Sequence, residues 1–380
     1  MDQTIVAPAA ATRSIATRPV ARPQAALSPV GLPPVAAPPM SSSSRSVAAG
    51  TIPPQPPQRQ QTARRFGTGV LVAGLAALGA AGIYRLIEKP PRTVPEHQKP
   101  PQYRAAARRL NIAAAVLSSS VLADSGLEHF RGAFHNPAMY LAPTVAAVTL
   151  VNSLHMAVAP EQCRLGRSLL AAIASATGLT GFGFHTYNLV KREGGIDLSN
   201  LFYGAPLGAP WAITLAGLAG LTASRLVAGD GQERPGRLCG RPAGPLLAWG
   251  TAVGLIGTAA EAALLHFRGA FHDPFMFVPV SLPPMAAIAL AGAAIKPELI
   301  GWAKPLVQAT AAMGVAGAGF HAYGVSRNMG GFYNWSQNLL NGPPLPAPPS
   351  FTGVALAGLA AIKLMETSKS MAAPELMAAS

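Results

Sequence analysis

Histidine, arginine and a carboxylate recur in this chain in a fixed order. The stretch HFRGAFHNPAMY, residues 129–140, is written again as HFRGAFHDPFMF, residues 266–277. A further histidine follows each copy, His185 within GLTGFGFHTY (178–187) and His321 within GVAGAGFHAY (314–323). Asp124 lies five residues before His129, and Glu261 five before His266. Neutral imidazole is a ligand for transition metals and for haem iron. Three imidazoles and one carboxylate in each copy suit iron, copper, manganese or zinc. The expected ligands are His129, His135, His185, His266, His272 and His321, with Asp124 and Glu261 as ligating or supporting acids. Arg131 and Arg268 would steady an anionic group. Haem b is the other cofactor the pattern allows. His185 with His129 or His135 would supply two axial ligands, and the arginines would meet its propionates.

Each residue also has a plainer role. Asn136-Pro137 and Asp273-Pro274 read as helix starts, an Asx side chain accepting a backbone N–H and proline suiting the first turn. Gly132 and Gly269 would permit a tight loop. Met139 and Met276 would be soft ligands or simply packing. A five-residue gap on a helix separates side chains by about 140°, so acid and histidine do not share a face. The acid then pairs elsewhere, for example with Arg131. Gly178, Gly181 and His185 do share a stripe, repeated by Gly314, Gly317 and His321. Small residues in such a stripe let another helix approach closely, so these histidines should face a packed neighbour.

The elements that must carry these residues are apolar. Half of the 380 residues are hydrophobic and 12% are charged, against roughly 25% charged in soluble domains. Eight apolar runs follow residue 109, at 110–129, 137–158, 167–190 and 210–227, then 245–266, 274–295, 298–325 and 350–364. Each approaches the length needed to cross a ~30 Å hydrocarbon layer. The histidine blocks, Gly194-Gly195 with Gly330-Gly331, and GAPLGAP (204–210) with GPPLPAP (342–348) recur in the same order. This pattern reads as an internal duplication. The expected fold is all-α and polytopic: two tandem four-helix repeats (110–228 and 245–366) in parallel orientation, joined by a linker (229–244). An extra hydrophobic helix at 66–87 and a linker at 88–109 precede them, and a short tail, 367–380, follows. Residues 1–65, rich in Pro, Ala and Arg, read as a disordered tail.

Charge sets the expected orientation. With residues 88–109 cytoplasmic, Arg and Lys concentrate in the inner loops, as the positive-inside rule requires. Six of the eight histidines then gather at the outer face, and Cys163 and Cys239 fall on the reducing side. The chain should therefore sit in a bacterial inner membrane with its His loops toward the periplasm. The lipid bilayer and a periplasmic redox protein are the expected partners. The net charge of +14 comes with no basic stripe interleaved with aromatics, which excludes nucleic acid as a partner. A transporter built from parallel repeats is the alternative, although the polar residues cluster at one face instead of the midplane. A haem-binding anchor for a periplasmic partner is another. No GxSxG, HExxH or P-loop pattern occurs.

Overall fold

A computed structural model describes residues 101–159, 165–228, 236–238 and 240–378. The expected tail, the hydrophobic helix at 66–87, His97, Cys163 and Cys239 lie outside these residues. The described chain is mostly helical. Helix α1 (Pro101–Arg131) is followed by a 3₁₀ turn (Pro137–Tyr140), α2 (Leu141–Val158), α3 (Leu165–Val190), the short α4 (Leu198–Tyr203) and α5 (Ala209–Ala228). A hairpin of two-residue strands, Arg237–Leu238 against Arg241–Pro242, precedes α6 (Ala243–Arg268). Then come a second 3₁₀ turn (Pro274–Phe277), α7 (Val278–Ile295), α8 (Ile300–Arg327), the single turn α9 (Trp335–Asn338) and α10 (Pro349–Ala378).

Among the described residues, five helical segments are long and apolar enough to cross a membrane: Pro101–Arg131, Pro137–Val158, Ala243–Arg268, Pro274–Ile295 and Pro349–Lys369. The other three expected spans also form helices, α3, α5 and α8. The helices also outrun the apolar stretches. Helix α1 begins at Pro101, inside the expected linker, because Arg104, Arg108 and Arg109 interrupt hydropathy without interrupting a helix.

The core is built from small side chains. On α1, Ala106, Ala107, Leu110, Ala113, Ala114 and Leu117 are buried at helical spacing. That face packs on α2, α5 and α10. Neighbours run α1–α2–α3–α5–α1 in the first half and α6–α7–α8–α10–α6 in the second. Between the halves, Leu117 of α1 sits against Gly353 of α10, where an added Cβ would lie 2.6 Å from Leu117 Cγ. In the reverse sense, Leu215 of α5 sits against Gly254 of α6, 3.2 Å from where a Cβ would be. The outward faces are apolar too: Val148, Val151, Leu154 and Val158 on α2, and Met285, Ile288 and Ile295 on α7, are exposed. A helix apolar on its outward face suits a lipid surround.

Candidate functional site: the paired histidine loops

Each HFRGAFH segment closes a helix in the same way. Phe134 N–H donates to His129 O (2.9 Å) and Ala133 N–H to Phe130 O (2.8 Å). Phe271 with His266 O and Ala270 with Phe267 O repeat both bonds. This is a Schellman cap, which needs a left-handed residue just past the helix. Ala133 (φ 53°) and Ala270 (φ 56°) take that position, and Phe134 (φ 43°) and Phe271 (φ 45°) follow in the same region. The expected role of Gly132 and Gly269 is thereby corrected: Gly269 has φ −81°, and these glycines serve clearance instead. A Cβ on Gly132 would come within 2.8 Å of Met139 Cε, and one on Gly269 within 3.0 Å of Met276 Cε. The methionines accordingly pack over the loop.

The left-handed pair turns an aromatic ring inward. Phe134 stacks on Tyr140 at 4.2 Å and meets His129 edge-on, while Phe271 stacks on Phe277 at 4.5 Å and meets His266 edge-on. Asn136 Oδ1 accepts Ala138 N–H and Asp273 Oδ1 accepts Phe275 N–H, the Asx caps expected of these positions. A non-glycine residue in the left-handed region costs about 1–2 kcal/mol. Ala133→Gly should therefore stabilise the protein by about 0.5–1 kcal/mol after glycine's own chain entropy. A higher unfolding midpoint in detergent checks this.

All six repeat histidines are held through Nδ1 by a main-chain carbonyl. His129 pairs with Met139 O, and His266 with Met276 O at 2.8 Å. His185 pairs with Pro206 O, and His321 with Pro344 O at 2.8 Å. His135 and His272 bond locally, to Gly132 O (3.0 Å) and Gly269 O (2.9 Å). A carbonyl oxygen only accepts, so Nδ1 is the donor in each pair, and in the neutral ring that tautomer leaves the lone pair on Nε2. His129, His185, His266 and His321 are half-buried, whereas His135 and His272 are exposed. His185 lies within electrostatic reach of His129, and His321 of His266. Among the described residues, no group of three or more His, Cys, Asp or Glu is arranged to hold a metal ion. The expected set of three imidazoles and a carboxylate is thus not brought together.

The glycine stripes seat the neighbouring helix. A Cβ on Gly178 would fall 2.5 Å from Pro210 O and 2.7 Å from Thr214 N; one on Gly314 would fall 2.8 Å from both Pro348 O and Thr352 N. The histidine one turn beyond therefore reaches the segment leading into that neighbour, where Pro206 and Pro344 lie. These segments also join the halves at one end of the helical assembly. Phe130 packs against Trp335 at 6.2 Å and Phe267 against Phe202 at 5.1 Å.

The acids and arginines differ between copies. Glu261 Oε2 accepts the Gly208 N–H at 2.9 Å, just before α5, an amide that has no partner within the helix. At the matched place the other copy has Pro346, which has no N–H, and its carbonyl accepts from Ser120 Oγ instead. Asp124 is left within electrostatic reach of Glu128 and Glu261. Arg131 is tied to Glu128 by two contacts of 2.7 and 2.9 Å, not to Asp124. Arg268 lies over the Tyr203 ring, 5.6 Å from its centroid. Glu261→Ala strands the Gly208 amide and should cost about 1–3 kcal/mol. Asp124→Asn, which removes one of three neighbouring acids, should leave stability unchanged or raise it. Denaturant midpoints of the two variants make the comparison.

The carbonyl partners of the histidines have no signature in the sequence, because every residue carries a carbonyl. The cation–tyrosine pairs Tyr187/Lys191 and Tyr323/Arg327 were legible as i,i+4 spacing at matched positions but carry no metal chemistry. Fold and site define a mostly helical protein with helices long and apolar enough to cross a membrane and two hairpins whose histidine loops close in the same way. No family model, curated protein or solved structure matches the chain.

Proposed function

We propose that this protein is an integral membrane redox subunit, built from two tandem four-helix repeats in parallel orientation, that binds haem b at its histidine end. The duplicated arrangement is supported by the recurring neighbour pattern and by the crossed Leu117–Gly353 and Leu215–Gly254 contacts. The observation that carries the cofactor is the common tautomer: six histidines, each with Nδ1–H on a main-chain carbonyl. Ligating histidines are oriented in this way by their other ring nitrogen. A purely structural donor has no need to be imidazole six times over.

The donor set fits haem better than a bare ion. Haem iron takes only one or two protein ligands, and each copy offers two half-buried imidazoles, His129 with His185 and His266 with His321. Bound haem would supply one-electron chemistry. The chain's own part is to hold each Nε2 toward the group and fix its tautomer. Neither arginine is free to play its expected part unaltered: Arg131 would have to leave Glu128, and Arg268 would have to leave Tyr203. The charge bias of the loops supports an outer, periplasmic histidine face, where a soluble redox protein would dock.

A second reading treats the histidines as loop fasteners alone, favoured by the local role each letter of HFRGAFH fills. Absorption spectroscopy with iron analysis on protein purified from haem-replete cells separates the two. A Soret band with stoichiometric iron is expected. Protein with neither leaves only the fastener reading.

A further inference from the structure

We propose that the outward face of α8 carries a phospholipid site: one acyl chain lies in a groove over Gly319, and Arg327 meets the anionic headgroup. Ala316, Gly319, Phe320 and Tyr323 line a groove of about 270 Å³ that is open along one side. The four residues follow i, i+3, i+4, i+7 and so share one helix face. Gly319 forms the floor, and a Cβ there would meet nothing within 4 Å. Phe275 of the neighbouring turn packs on Phe320 at 5.0 Å and extends one wall.

The occupant follows from the lining and the charge at its end. Phe320 is 51% and Tyr323 60% exposed, so the groove faces whatever surrounds the helices. Helix α8 packs on α7 and α10, whose segments Pro274–Ile295 and Pro349–Lys369 are long and apolar enough to cross a membrane, so a lipid surround there is hydrocarbon. The lining is almost wholly apolar, which suits an alkyl chain and offers little to a polar solute. One turn beyond Tyr323, the exposed Arg327 lies with its guanidinium 5.5 Å from the Tyr323 ring centroid. Among the described residues, no carboxylate pairs with Arg327. A guanidinium beside an interfacial tyrosine is complementary to a lipid phosphate. The matched position in the first half repeats the anchor, with Lys191 Nζ 5.2 Å from the Tyr187 ring centroid. An added Cβ on the matched Gly183 likewise meets nothing within 4 Å.

The test uses the full chain in nanodiscs of phosphatidylcholine and phosphatidylglycerol, with retained lipid counted by native mass spectrometry after detergent washing. The wild type should retain phosphatidylglycerol in preference. Arg327→Gln should lower that retention roughly fivefold. Gly319→Leu, which fills the groove, should lower it as well, and Arg241→Gln, an exposed arginine on the hairpin, should not. Equal retention of the two lipids, or retention untouched by Arg327→Gln, overturns the site. Loss with Arg327→Gln but not with Gly319→Leu overturns the acyl groove. Arg327→Gln is a surface change, so it remains decisive if Gly319→Leu fails to fold.

Discussion

Gly178→Leu should cost the fold about 3 kcal/mol or more, while Gly183→Leu, five residues along the same helix, should fold as the wild type does. At Gly178 a new Cβ would fall on the Pro210 carbonyl and the Thr214 amide. These are backbone atoms at the start of α5, so no flexible side chain can swing aside. Relief requires α3 and α5 to separate. That separation would also break the His185–Pro206 bond and expose the alanine-packed seam. Overpacking typically costs about 1–3 kcal/mol, and a leucine against fixed backbone belongs at or beyond the top of that range. Total stability is on the order of 5–15 kcal/mol, so such a loss is large. At Gly183 nothing lies within 4 Å of the new Cβ, and leucine's better helix propensity should add about 0.5–1 kcal/mol. Thermal unfolding followed by tryptophan fluorescence, with size-exclusion profiles in detergent, measures both. Equal behaviour of the two variants would show that the stripe is not the α3–α5 seam.

The second large effect tests the proposed haem site. His185→Asn combined with His321→Asn should eliminate the Soret band while leaving the fold intact. The asparagine amide stands where Nδ1–H stood and can still donate to the carbonyls of Pro206 and Pro344. It has nothing in the place of Nε2, so ligation and loop fastening are separated. Each single variant should remove about half of the bound haem if the copies act independently. His185→Ala is the complementary control: it deletes the fastening bond as well and should destabilise by about 1 kcal/mol. An absorption spectrum unchanged in the double variant would remove these two histidines from the ligand set. Haem retained there but lost in His129→Asn with His266→Asn would move the axial role to the loop histidines.

Much of the framework was legible without coordinates. Apolar runs mark the helices because a backbone in hydrocarbon must satisfy its own hydrogen bonds, which makes long helices the only local solution. Asn136-Pro137 and Asp273-Pro274 were readable as caps because an Asx side chain bonds to an amide two residues away, within one turn. The Gly178–Gly181–His185 stripe was readable as a packed face because helix periodicity alone places those residues together. The helix ends were less legible. Arg104, Arg108 and Arg109 end an apolar run but not a helix, and α1 continues through them to Pro101.

By itself, then, the sequence determined the helical class, the candidate membrane-crossing segments, the duplicated polar loop and the turn chemistry at its second half. These follow from composition and from interactions between residues a few positions apart. Tertiary structure alone decided that Nδ1 of each half-buried histidine meets a main-chain carbonyl and that Glu261 holds the Gly208 amide. It also decided that, among the described residues, Asp124 has no such partner and no three ligands converge. Those outcomes turn on which backbone atoms distant helices bring within about 3 Å. Every residue offers the same carbonyl, and all but proline the same amide, so no residue letter announces which of them will be used.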